Sequence, residues 1–224
     1  MPVDPRVVVF DVNETLTDMS PLAERLTAAG LPGHLLAAWF AGVLRDGVAL
    51  TLAGGYASFA AVARDGLRAL AAEEGLGGRA ADHILAGLAE LPLHPDVPEG
   101  VRALRAAGFR LLTLTNGAAD TTRAVLDRAG LTGLFEAHLD VAAPARWKPA
   151  REAYAHALAA AAVPAAAALL VSVHPWDLDG AARAGLATAW LCRAPRPYPS
   201  AQHPADVTAS SLPELARKLN PPAG

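Results

Sequence analysis

Between Val7 and Phe10 four apolar residues, three of them β-branched, run without alternation into an acid, Asp11, which is followed by Asn13 and Thr15. A strand with no polar face has to be covered on both sides, which is the environment of a parallel strand inside an α/β sheet. In open sheets of that kind, chemistry gathers beyond the carboxyl ends of the strands. A carboxylate placed there is a candidate nucleophile. Taken alone, Asp11 serves equally well as the N-cap of a following helix, because its side chain accepts a backbone N–H.

The order of elements along the chain bears on that choice. After Asp11 the apolar spacing is helical, predicting helices over 21–29, 33–44, 56–70 and 79–91, broken by Gly54-Gly55 and by the glycine-rich stretch 75–78. From Leu93 onward strands alternate with helices. Helices are expected at 98–107, 118–129, 150–162, 177–184 and 212–219, strands at 109–115, 167–173 and 186–192, and short apolar segments near 135–141 and 206–209. Such alternation implies a doubly wound, parallel, Rossmann-like sheet. The expected architecture is therefore α/β, with an all-helical cap inserted after the first strand. Residues 1–16 and 93–224 would form the core and 17–92 the cap, with LHPDVP at 93–98 as the return hinge and the proline-rich 193–204 as a surface loop. There is no internal repeat.

Composition narrows the function classes. With 53% hydrophobic and 18% charged residues, the 224-residue chain can bury a large core and does not have a disordered composition. A net charge of −3 with scattered Lys and Arg gives no nucleic-acid footprint. The start MPVDPR lacks the features of a signal peptide and no apolar run is expected to span a membrane, so a soluble cytoplasmic protein is expected. The single Cys192, in the apolar LATAWLC, excludes an internal disulfide and is expected to be a buried structural thiol.

Three more predicted strand or helix ends carry polar residues: Thr115-Asn116-Gly117, Trp147-Lys148-Pro149 and His174-Pro175-Trp176-Asp177, with Ser172 just before the last. Each has an ordinary explanation. A turn with an N-cap accounts for the first, a solvated helix-start lysine for the second and another N-cap for Asp177. Their joint order is harder to obtain by chance.

In that order the chain resembles the haloacid dehalogenase superfamily of hydrolases, in its type II haloacid dehalogenase-like branch. The resemblance covers essentially the whole chain and rests on FDVNETL, LTNG, WKP and SVHPWDLDGAARAG. It implies that Asp11 is the nucleophile, Thr115 the small hydroxyl residue of the second motif, Lys148 the lysine of the third and Asp177 the acid of the fourth, with the helical insertion as the cap. The chemistry agrees with those roles. A carboxylate attacks only while ionised, and a nearby ammonium favours that form. Thr115, Asn116 and adjacent amides can donate to an anionic substrate. Asp177 can hold or deprotonate the water that cleaves a covalent ester, Ser172 and His174 can order that water, and Thr15 completes the catalytic set.

Phosphatases of this superfamily carry a second acid two residues after the nucleophile, where this chain has Asn13, and another acid four residues before the fourth-motif Asp, where it has Val173. Asn13 cannot protonate a leaving oxygen, and Asp11 with Asp177 alone make a poor Mg²⁺ shell. Carbon–halogen cleavage needs neither, because halide leaves as an anion. The expectation is thus cofactor-free hydrolysis of a small organic acid, with Mg²⁺ required only under the phosphatase alternative. A weakened binding protein on the same fold is the other alternative, and a homodimer is left open. One departure stands out: dehalogenases of this type carry a cap Arg just after a Trp, and here Trp39 precedes Phe40. Arg45 lies about 140° around the helix from Phe40. Trp39, Phe40, Tyr56 and Phe59 are candidates for an aromatic pocket wall, with Trp176 beside them, or simply for cap core.

Overall fold

A computed structural model of the chain describes residues 5–75 and 79–219. Six parallel strands, β1 (Val7–Phe10), β2 (Arg110–Thr115), β3 (Ala137–Asp140), β4 (Ala168–Ser172), β5 (Ala187–Leu191) and β6 (Val207–Ala209), lie in the order β3-β2-β1-β4-β5-β6. The order reverses beside β1, which puts the end of that strand at the crevice where open α/β sheets bind ligands.

Strand periodicity explains why β1 carries no polar residue. Val8 and Phe10 face one apolar layer with Val101, Leu104 and Leu215, while Val7 and Val9 face a second layer with Tyr154, Leu170 and Leu178. Both faces are dry, and all four residues are fully buried.

Between β1 and β2 come four cap helices, α1 (Pro21–Ala28), α2 (Leu35–Leu52), α3 (Phe59–Glu73) and α4 (Arg79–Ala86), then α5 (Val97–Ala106) of the core. The cap helices gather an apolar cluster around Leu22, Leu26, Trp39, Val43, Leu67 and Ile84, which also takes in Val141, Trp147 and Ala153 of the core. Where the chain crosses into and out of the cap, Thr17 and Leu93 form an isolated antiparallel bridge. The remaining helices α6 (Ala119–Arg128), α7 (Arg151–Ala161), α8 (Pro175–Arg183) and α9 (Leu212–Leu219) cover the sheet.

Several expectations are corrected. Helix α2 continues to Leu52 where the pattern suggested a stop at 44, since neither Gly42 nor Gly47 ends it. With 18 residues and a mean hydropathy of 1.5, α2 is long and apolar enough by composition to cross a membrane, which the sequence reading denied for any segment. Its Trp39, Phe40, Val43 and Gly47 are instead buried against the rest of the protein. Helix α8 starts at Pro175, so Asp177 lies in its first turn and does not cap it. Cys192 is only half-buried, its Sγ 3.2 Å from the Ala194 carbonyl, because β5 ends one residue earlier. Most of the glycine-rich break at 75–78 lies outside the described residues.

Candidate active site

Asp11 follows β1 directly, and its backbone N–H donates to the Val171 carbonyl of β4 at 3.0 Å. No helix begins until Pro21, which removes the N-cap reading. The turn after Asp11 is tight: the Val12 carbonyl accepts from the amides of Thr15, Leu16 and Thr17, and Glu14 adopts a left-handed φ of 62°. That turn brings Thr15 Oγ1 to 2.6 Å from Asp11 Oδ2, and Thr15 Oγ1 accepts the Val173 amide at 3.1 Å. Ser172 Oγ, at the end of β4, lies 3.3 Å from the same oxygen and accepts the His174 amide at 3.0 Å.

Lys148 is the centre of the arrangement. Its Nζ donates to Asp11 Oδ1 and to Asp177 Oδ2, both at 2.7 Å, with all three side chains buried. A solvated helix-start lysine would look quite different. Asn116 clamps this residue by its backbone, Oδ1 accepting the Lys148 amide at 2.8 Å and Nδ2 reaching the Lys148 carbonyl at 3.4 Å. The Asn116 side chain, read from the sequence as a substrate ligand, is therefore occupied in positioning the lysine. Thr115 Oγ1 accepts the Gly117 amide at 2.9 Å, so the LTNG turn is a local turn as well as a wall of the site.

Sequence reasoning missed Tyr154. Its hydroxyl donates to Asp177 Oδ1 at 2.7 Å and lies 2.9 Å from the Asp177 carbonyl. The signal was available: a Tyr among Ala153, Ala157 and Ala161 on the buried face of α7 has to find a partner for its O–H. Gly180 permits the approach, since a Cβ there would stand 2.5 Å from Pro149 Cβ and 2.7 Å from the Tyr154 hydroxyl.

The electrostatics follow from burial and pairing. Burial pushes the Asp11 carboxyl up, but Lys148 and His174 with the Lys148 and Thr15 hydrogen bonds more than offset it, leaving it below the ordinary value. Asp177 is held above its ordinary value, by burial first and by the neighbouring Asp11 charge, against the opposing pull of Lys148. For Lys148, burial favours the neutral amine, and the two carboxylates reverse that and raise it. Asp11 is thus held ionised, with Lys148 as its ammonium. Both Asp177 oxygens are engaged, Oδ2 by Lys148 and Oδ1 by Tyr154, and its side chain is fully buried.

His174 closes the other flank. Its Nε2 lies 3.7 Å from Asp11 Oδ2, 3.5 Å from Glu14 Oε2 and 3.3 Å from the Asn13 carbonyl. The ring stacks on Trp176 with centroids 5.2 Å apart, and Phe40 stands 6.4 Å away. Phe59 stacks on Trp147 and lines, with Asn13, Tyr56 and Thr115, a cleft between cap and core. Trp39 is not brought to the site: its indole N–H donates to the Ala63 carbonyl and its ring lies against Gly66, inside the cap. Arg45 is exposed and paired with Asp46 at 2.7 Å, so it does not replace the missing cap cation. Among the described residues, no group of three or more His, Cys, Asp or Glu side chains is arranged to hold a metal.

A parallel sheet with an inserted helical cap and a buried, lysine-paired carboxylate at its switch point defines a capped α/β hydrolase that works through an aspartate. The haloacid dehalogenase-like hydrolase family is matched over residues 5–185, and the chain belongs to that family. It is 29% identical over 222 residues to the (S)-2-haloacid dehalogenase of Pseudomonas sp. (strain YL), covering 97% of this chain and 95% of that one. It is 31% identical over 195 residues to the (S)-2-haloacid dehalogenase of Xanthobacter autotrophicus, covering 84% and 75% of the two. The fold superposes on the solved L-2-haloacid dehalogenase of Xanthobacter autotrophicus with a TM-score of 0.89 at 26% identity, over 98% of this chain and 100% of that one. The same enzyme with chloropropionic acid covalently bound gives 0.88.

Proposed function

We propose that the protein hydrolyses the carbon–halogen bond of a small (S)-2-haloacid through a covalent ester on Asp11, with residues 17–92 serving as the cap over the reaction. The observation that carries this reading is the state of Asp11: ionised, buried and held by Lys148, Thr15 and Ser172, beside an Asn13 that cannot protonate a leaving group. The likeness to enzymes named (S)-2-haloacid dehalogenase supports it.

In the first step an Asp11 oxygen attacks C2, a carbon–oxygen bond forms, and the halide leaves with the electrons of the broken bond. In the second, water adds to the Asp11 carboxyl carbon and the carbon–oxygen bond to the substrate breaks; one water proton goes to the leaving oxygen of the 2-hydroxy acid, the other to a neighbouring base, His174 or Asp177, and Asp11 returns as a carboxylate carrying one water oxygen. In this reading Ser172 and His174 order that water, and Thr115 with the adjacent backbone amides binds the substrate carboxylate; the closeness of Ser172 and His174 to Asp11 supports it. No metal enters either step. Single turnover in ¹⁸O-water with enzyme in excess should put the label into the Asp11 carboxylate. Label in the product with none in Asp11 sinks the covalent route.

A further inference from the structure

The space beside the nucleophile exceeds what a two- or three-carbon haloacid fills. The cleft that opens next to Asn13 and Thr115 has a volume of about 290 Å³ and runs outward between Leu85 and Leu88 of the cap and Val125 of α6. A 2-chloropropionate has about six groups of roughly water size, about 180 Å³ at about 30 Å³ each. The remainder is bounded mainly by apolar side chains.

On the opposite flank Trp176 stacks on His174 and Phe40 stands 6.4 Å from it. Asp140 is the single charged residue among those lining the cleft. Its two oxygens accept the amides of Ala119 and Ala142, each at 3.0 Å, so it is a fixed acceptor on the wall. A second carboxylate on the substrate would face that charge with no lining cation to offset it.

We propose that this cleft receives the substituent at C2, and that the preferred substrates are 2-haloalkanoates bearing an uncharged apolar tail of about four to five carbons. The proposal rests on the dehalogenase reading for its chemistry and on the cleft alone for its selectivity. Each methylene buried there should tighten binding about fourfold.

The test titrates unhalogenated carboxylates from acetate to octanoate into the wild-type protein, and in parallel measures bromide release from the matching 2-bromoacids. The dissociation constant should fall about fourfold per methylene and level off near hexanoate, with kcat/KM following the same trend. Adipate should bind at least about tenfold more weakly than hexanoate, which is longer by no carbon and differs only in its terminal charge. Val125→Phe, or Leu88→Phe should the first fail to fold, should flatten the dependence on length. Affinity indifferent to chain length, or equal for adipate and hexanoate, overturns the proposal. Length-dependent binding with no bromide release from any acid supports the cleft assignment and rejects the dehalogenase reading, so the two failures are distinguishable.

Discussion

The two sides of the site are built from opposite materials. On the core side Asp11, Lys148, Asp177 and Tyr154 form a buried chain in which each charged or polar end meets a partner within 2.7 Å. On the cap side the nearest groups are Phe40, Phe59 and leucines, with no cation among the residues lining the cleft. The core has settled its charges before any substrate arrives, so it can present an ionised nucleophile inside a dry interior. The cap supplies shape, and it leaves the charge of an incoming acid to the strand-end loops.

Removing Lys148 should have the largest effect on this contrast. Lys148→Met leaves two buried carboxylates side by side, and losing one partner of such a set costs about 3–5 kcal/mol, to be read by urea unfolding. The wild-type nucleophile stays ionised below the ordinary value of 3.8, and the reactive form is lost only as pH falls through the lowered folded value. Without the ammonium, burial acts with one less opponent, and the acid limb of single-turnover ester formation should move up. An unmoved limb would mean that Lys148 does not set the charge of Asp11.

Tyr154→Phe probes the same side more gently. It strips the donor from Asp177 Oδ1, for a loss of about 1–3 kcal/mol. A neutral effect on stability would show that water replaces the hydroxyl and that this end of the chain is open to solvent.

On the cap side, Phe40→Arg introduces the missing charge. A new charge-assisted contact should raise kcat/KM for 2-chloropropionate by about tenfold. No gain would mean that the site does not need a cation from the cap, and His174, 3.7 Å from Asp11, is then the first residue to vary. The smallest effect expected is none at all: prolonged EDTA treatment should leave the rate unchanged, and a loss restored by Mg²⁺ would return the acid pair to phosphoryl chemistry.

How much of this was legible beforehand depended on whether a residue's partner was near it in pattern or only in space. The non-alternating Val7–Phe10 run located the central strand, and the strand–helix alternation after Leu93 located the rest of the sheet, because periodicity is a local property. Asp11, at the end of such a strand, could be placed for the same reason, whereas Lys148 was placed by the resemblance of the ordered motifs. The clamp made by Asn116 was not legible because it holds a backbone 32 residues away. Trp39 was assigned to the site because helical spacing says which face a residue occupies and not what lies opposite. The extent of α2 was underestimated at glycines that pattern alone treats as breaks, whereas Gly47 is there for a neighbour brought by the fold.

That neighbour is Trp147. A Cβ on Gly47 would stand 2.3 Å from the Trp147 ring, whose N–H donates to the Ala57 carbonyl and whose backbone amide donates to Thr51 Oγ1. The residue adjoining Lys148 is thus lodged in the cap, while the lysine itself reaches down to the core. Two adjacent residues tie the inserted helices to the ammonium, and a substitution that displaces the Trp147 ring, such as Gly47→Ala, acts on the peptide that carries Lys148 although it lies outside the charged set.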